Sequence, residues 1–499
     1  MEEKKRTNSV IFYVSAAIAS VIALWGILGN ASFGVVADRL MDRLLENFTW
    51  VYLWGVFFFV IFSFLLAVSP WGKIRLGRDD EKPEHSTVSW FAMLFGAGMG
   101  IGLVFWGVAE PLSHYIAPMK GIEPLSGESA RFAMRTVFMH WGLHPWACYA
   151  VMGLGLAYYS YRKNQPALAS SLMRPIFGSG RLGRIVGIAV DIFTAVLSAM
   201  AVATSFGMGC LQINGGLSEL FGIPNEFWVL VIVVAIICAI YLRTAITGVD
   251  RGIKLLSDIN LVLFLLLMAL AYLVGDTLSS FKMGAIGLGD YVRYFLADSI
   301  RTEAQGDSSW IQAWRVFYWA WWLSWAPCVG IFIARISRGR TIRQYMAGVI
   351  VVPTVVSIFW FTAFGGLGLQ AADAMPPDQL AKLAAAPEIA MYEVYALYPL
   401  GRLMSLIGMA LVVTFFVTSA NSATFVLAML TSGGALNPPN SKKVFWGILA
   451  ALLALALVAS GGIGMIQTIS IVIAFPYLII LILICFSVVL SLVREGREK

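Results

Sequence analysis

The chain has 499 residues, of which 59% are hydrophobic and only 13% charged, with a mean hydropathy of +0.80. A soluble domain carries about 25% charged residues, so a water-soluble globule is excluded and a polytopic membrane protein is indicated. The net charge of +7 sits in short basic segments between apolar stretches, which reads as a topology signal rather than a nucleic-acid surface.

A membrane-crossing helix needs about 20 apolar residues. That ruler predicts twelve, at 9–31, 50–71, 88–110, 135–160, 185–218, 226–243, 255–276, 309–334, 344–369, 402–432, 444–464 and 467–493. The first is too long for the apolar core of a signal peptide and lacks a cleavage site. The fifth and tenth are long enough to tilt or break. With the N-terminus inside, the inner connections hold 24 Lys and Arg and the outer ones 8, which predicts both termini cytoplasmic. Five cysteines, Cys148, Cys210, Cys238, Cys328 and Cys485, lie in apolar segments without metal-ligand spacing and read as buried small hydrophobes.

In the third span, GAGMGIG places Gly96, Gly98, Gly100 and Gly102 within seven residues. Each costs a helix about 1 kcal/mol relative to alanine. The stretch therefore reads either as a close helix contact or as a break whose freed backbone meets an ion or substrate. Glu110, before Pro111, stands at the predicted end of this span as a structural or gating group. In the fourth span, HWGLHPWACY gathers Trp141, Trp146 and Tyr149 around Pro145, where a kink is expected because proline cannot donate to the carbonyl of Trp141. His140 and His144 have the spacing of a helical metal pair but no third ligand, so no transition-metal site is expected.

Segment 277–308 is long enough for a short interfacial helix on the outer surface, and 370–399 reads as a second structured outer loop. The eighth span, with Arg315 near its start, carries Trp319, Trp321, Trp322 and Trp325. Such a run suits an aromatic belt at the headgroups, and it equally suits a wall of π faces for a quaternary ammonium ion, which cannot be hydrogen-bonded. In the tenth span, TFFVTSANSATF concentrates Thr418, Ser419, Asn421, Ser422 and Thr424. These hydroxyls either back-bond to their own helix or offer neutral oxygens to a hard cation such as Na⁺.

Taken together these motifs resemble those of the betaine/carnitine/choline transporters, over about residues 50–490. The most specific element is YWAWWLSWAPCVGIFIARISRGRTIR at 318–343, where the Trp-rich span runs into Arg335, Arg338, Arg340 and Arg343; GAGMGIG with FWGVAEP, HWGLHPWACY and GVDRGIKLLSDIN at 248–260 are also similar. The resemblance implies an all-α membrane fold of 12 transmembrane helices, a LeuT-like pair of inverted five-helix repeats. The corresponding segments are 1–87 for the tail and two peripheral helices, 88–276 for the first repeat, 277–308 for the outer loop, 309–493 for the second repeat and 494–499 for a short cytoplasmic tail.

The resemblance also implies a cage of Trp141, Trp146, Tyr149 and Trp322, with Trp321 and Trp325 along the path to it and Trp319 in packing. It implies a sodium site from backbone oxygens of Gly96, Met99 and Phe415 with hydroxyls of Thr418 and Ser419, and a second, more loosely aligned one near Thr204 and Cys328. Exchangers of the family carry a positive side chain in span 5, and 191–216 here has no Lys or Arg, which favours Na⁺ symport. Choline-type members carry aspartate in the glycine stretch where this chain has Gly102, which favours a zwitterion such as glycine betaine over choline. Asn421 and Cys328 depart from the betaine pattern, so carnitine, dimethylsulfoniopropionate and ectoine-like solutes stay open. The expectation is a Na⁺-coupled uptake carrier of a bacterial inner membrane, a homotrimer with no cofactor and no nucleic-acid partner, whose short tails leave no room for an osmosensor. A channel would need a continuous polar pore and an enzyme a catalytic constellation, and the sequence offers neither.

Overall fold

A computed structural model describes residues 2–98, 100–247, 250–302 and 307–498. The described residues are helical apart from connecting turns and one isolated bridge between Arg75 and Thr341. Helices α1 (Glu2–Leu28) and α2 (Asn30–Val68) come first. The region 32–49, expected as an outer loop, is part of α2. Its buried Phe33, Ala37 and Leu45 recur at multiples of four, so one helical stripe stays packed while Arg39, Asp42, Arg43 and Glu46 occupy other faces.

The third span is broken, the second of the two readings its glycines allow: α3 (Thr87–Gly98) stops and α4 (Ile101–Ile116) restarts after an extended Gly100. Helix α4 continues through Pro111, so Glu110 lies inside a helix and not at its end. The fourth span is also broken, but at Gly142 rather than at Pro145, between α5 (Gly127–Trp141) and α6 (Leu143–Ala157). Pro145 falls in the first turn of α6, where the backbone N–H has no intrahelical acceptor, so the missing donor costs nothing there.

Then follow α7 (Ala169–Phe177), α8 (Arg181–Phe221), α9 (Phe227–Thr247) and α10 (Asp250–Val274). The segment expected on the outer side forms α11 (Thr277–Ile300), longer than the short helix expected. A π-turn at Ile311–Val316 leads into α12 (Phe317–Ile336), followed by α13 (Ile342–Ala372). The segment expected as a second outer loop holds α14 (Pro377–Ala385) and α15 (Ala390–Ala396). Helix α16 (Gly401–Leu430) is unbroken, as is α8. The last element, α17 (Asn440–Glu498), is two helices joined across Gly461 (φ 155°) and Gly462 (φ 60°), backbone angles that favour glycine. Among the described residues, nine helices are long and apolar enough to cross a bilayer. The broken pairs α3–α4 and α5–α6 are apolar segments additional to these nine.

Close approach sets the centre. Helix α12 packs along α6, and Gly330 on α12 comes so near Gly153 on α6 that a Cβ at Gly330 would lie 3.0 Å from the Gly153 nitrogen. At one end of the bundle, Arg131 and Arg135 of α5 pair with Asp290 and Asp298 of α11. At the opposite end Arg162 donates to Glu495 of α17 and to the carbonyl of Gly77. The arginines of 335–343 pin the same region: Arg338 meets Glu81, Arg340 meets the carbonyl of His85, and Arg343 meets that of Ala67.

Candidate functional site

The two chain breaks and the α6–α12 contact bring one set of rings together. Trp141, the last residue of α5, stands edge-on to Trp322 of α12 (centroids 4.8 Å, 71°) and to Trp321 (5.9 Å, 87°). Trp321 and Trp322 stack on each other at 4.6 Å and 17°. Tyr149 of α6 stands edge-on to Trp322 at 6.3 Å and to Trp146 at 5.4 Å. All five rings are buried. The backbone of α4 closes one side: a Cβ at Gly102 would meet the Trp321 ring at 2.5 Å and the Trp141 ring at 3.0 Å. No side chain fits at Gly102 without moving both indoles.

Of the other tryptophans, Trp325 is half-buried and donates to Ser205 of α8 at 3.1 Å. Trp319 stacks on His144 at 4.7 Å and 14°, away from the cluster. Tyr318, which the sequence reading passed over, is a sixth ring, 5.8 Å from Trp141, 6.0 Å from Trp321 and 5.8 Å from Trp322. Its place inside FYWAWWLSW was the available signal.

Behind the rings lies Glu110, fully buried. One carboxylate oxygen accepts from Trp141 Nε1 (2.7 Å) and from the Tyr318 hydroxyl; the other accepts from His140 Nδ1 (2.7 Å) and His114 Nε2 (3.3 Å). Four donors fill the acceptor sites of an ionised carboxylate, which requires the protons to sit on those histidine nitrogens. Glu110, His114 and His140 form a group that could hold a metal ion, their ligand atoms all within 4.8 Å of one another, so the fold supplies His140 with the further ligand types that its sequence spacing to His144 lacked; Glu110 stands at hydrogen-bond distance from both histidines. His144 instead bonds Ser299 of α11 at 3.0 Å, so the two histidines four apart serve different partners across the break. Arg315 is buried and donates to the carbonyl of Asp298 at 2.7 Å, tying the start of the eighth span to α11.

The residues expected to hold sodium are placed less completely. Thr418 donates to the carbonyls of Thr414 and Phe415, both at 3.1 Å, the back-bonded state of a helical threonine. Asn260 of α10 donates to the same hydroxyl at 3.3 Å. Ser419 is half-buried beside it. Gly96 lies in the last turn of α3, where a Cβ would meet no atom within 4 Å apart from its chain neighbours and its own helix backbone, and Met99 lies outside the described residues. For the second site, Thr204 back-bonds to Ala201 at 2.7 Å, while Cys328 meets Ser198 of α8.

A family model, that of the betaine/carnitine/choline family transporter, matches residues 10–497. The glycine betaine transporter OpuD of Bacillus subtilis (strain 168) is 42% identical over 494 residues, 98% of this chain and 95% of that protein. The ectoine/hydroxyectoine transporter of Virgibacillus pantothenticus is 40% identical over 498 residues, covering 99% and 98%. Glycine betaine transporter 1 of Vibrio parahaemolyticus is 36% identical over 500 residues, covering 98% and 94%.

Proposed function

We propose that this chain, which belongs to the betaine/carnitine/choline transporter family, imports a quaternary-ammonium zwitterion, glycine betaine foremost, by Na⁺ symport through alternating access. Members of this family are transporters, not enzymes. The observation that carries the substrate class is the indole cluster of Trp141, Trp321 and Trp322, closed by Tyr149 and backed by Gly102. Methyl groups carrying spread positive charge gain up to about 2 kcal/mol on such a face when water is excluded. The rings pack against one another in this conformation, Tyr149 and Trp322 less closely than Trp141 and Trp322. Trp146 completes the aromatic corner, and Trp325 borders the approach.

The reading includes twelve crossings: nine helices, the two broken spans α3–α4 and α5–α6, and α17 counted twice across its glycine kink. Both termini would face the cytoplasm of a bacterial inner membrane, with α11 on the outer surface of a homotrimer. For the ion, the proposed ligands are the carbonyls of Gly96, Met99 and Phe415 with the hydroxyls of Thr418 and Ser419, which would hold span 3 against span 10. Substrate and ion would then raise each other's affinity by one factor, as linkage demands. Thr204 and Cys328 are the candidates for a second ion. The absence of Lys and Arg from 191–216 supports symport over cation-independent exchange.

The name of the Virgibacillus relative supports a second reading within the same fold, an ectoine-type solute; carnitine, choline and dimethylsulfoniopropionate are the remaining alternatives. Uptake of labelled betaine, ectoine, choline and carnitine into proteoliposomes, with and without an inward Na⁺ gradient, tests both substrate and coupling. Uptake independent of Na⁺ would remove symport, and uptake of ectoine in preference to betaine would select the second reading.

A further inference from the structure

Two rings of the aromatic cluster end on one carboxylate. Trp141 and Tyr318 each touch both Trp321 and Trp322, and each sends its only polar hydrogen to the same oxygen of Glu110. The opposite oxygen is held by His140 and His114, so the carboxylate cannot swing away from the rings without losing both. A carboxylate with no solvent contact is costly, and filling its place with apolar atoms is often neutral or stabilising. Its tie to the ring edges offers a role besides helix–helix cohesion. An indole N–H or a phenol O–H that donates to an anion is polarised towards it, and bonds in such a network reinforce one another in a low-dielectric interior. The ring faces become richer in negative charge, which is the property that attracts a cation.

We propose that Glu110 is the positioning residue of the cation site: through Trp141 Nε1 and the Tyr318 hydroxyl it fixes two rings and strengthens their hold on a quaternary ammonium group that it never touches. This rests on the aromatic cluster being the substrate site. It also gives the chain a fixed negative charge one ring away from the cation, although the glycine stretch 96–102 contains no acid.

The test is uptake kinetics in proteoliposomes for the wild type, Glu110→Gln and Tyr318→Phe, with labelled betaine, choline and carnitine as probes. Tyr318→Phe keeps the ring and removes only the hydroxyl, so it decides alone should Glu110→Gln fail to fold. We expect KM for the transported solute to rise about tenfold in Glu110→Gln and several-fold in Tyr318→Phe, while the maximal rate stays within about twofold and half-saturation by Na⁺ is unchanged. A purely cohesive role would instead lower the thermal midpoint and the maximal rate at constant KM, and that outcome overturns the proposal. A KM within about twofold of wild type in Tyr318→Phe overturns it as well. If the wild type takes up none of the three solutes, the substrate reading fails and this inference with it; wild-type uptake with unchanged variants sinks this inference only.

Discussion

The indole N–H of Trp322 donates to the main-chain carbonyl of His140 at 2.9 Å. That acceptor is free because α5 ends at Trp141, and the last carbonyls of a helix have no intrahelical partner. The break at Gly142 thus supplies the group that orients a ring on another span. A local backbone event in span 4 becomes a constraint on the aromatic wall of span 8.

Trp322→Leu should abolish uptake in proteoliposomes while the purified protein stays monodisperse. Trp322→Phe keeps a π face but loses the N–H, and should raise KM about thirtyfold, since a lost bond and a poorer cation–π partner each contribute about 1 kcal/mol. Retained wild-type kinetics in Trp322→Leu would remove this ring from the site.

Gly102→Ala places a methyl group where the Trp321 and Trp141 rings now lie, at 2.5 and 3.0 Å. Overpacking of this kind costs about 1–3 kcal/mol. Uptake should fall by an order of magnitude or more with a lower thermal midpoint, and unchanged kinetics would mean that α4 does not close the cluster.

Thr418→Ala removes one hydroxyl oxygen and the acceptor that Asn260 uses. The Na⁺ concentration for half-maximal uptake should rise at least several-fold, whereas solute KM at saturating Na⁺ should change little. A Na⁺ titration that overlays the wild type would take Thr418 out of the ion site.

Between α5 and α11, the Arg131 guanidinium bonded to Asp290 at 2.8 and 2.9 Å holds that carboxyl below the usual carboxylate range, against the opposing effect of burial. A depressed folded-state value means the contribution is present above the unfolded value of about 3.9 and is lost as pH falls through the folded one. The thermal midpoint in detergent should therefore be insensitive to this pair from pH 7 to about 5 and decline below about pH 4. Asp290→Asn should lower the midpoint at pH 7 and flatten that acid limb. An identical acid limb in the variant would show that the pair does not couple α11 to α5.

Much of the architecture is legible in residue order because lipid demands it: an apolar run of bilayer length must be helical whatever its neighbours. The glycines of span 3 mark the neighbourhood of its break without deciding it: Gly96, Gly98 and Gly102 lie within α3 and α4, only Gly100 is extended, and a close helix contact is an equally open reading of the sequence. Residue order misplaces the break in span 4, because proline is disruptive in a helix interior and harmless in a first turn, and the sequence does not say which turn Pro145 occupies. Segment 32–49 misleads in another way, since its charges look like a loop until the buried stripe of Phe33, Ala37 and Leu45 is seen to continue α2.

What the sequence determined alone is membrane class, the helical character of its long apolar runs, and the residue types suited to a cationic solute. Those follow from hydropathy and chemistry that each segment carries by itself. Only tertiary structure decided which rings meet. Trp141, Trp321, Trp322 and Tyr318 come from α5 and α12, the anion Glu110 that Trp141 and Tyr318 share comes from α4, and its other donors come from α4 and α5. A buried carboxylate takes its partners from whatever is packed around it. The number, direction and charge of those partners exist only once the helices are broken, tilted and brought into contact.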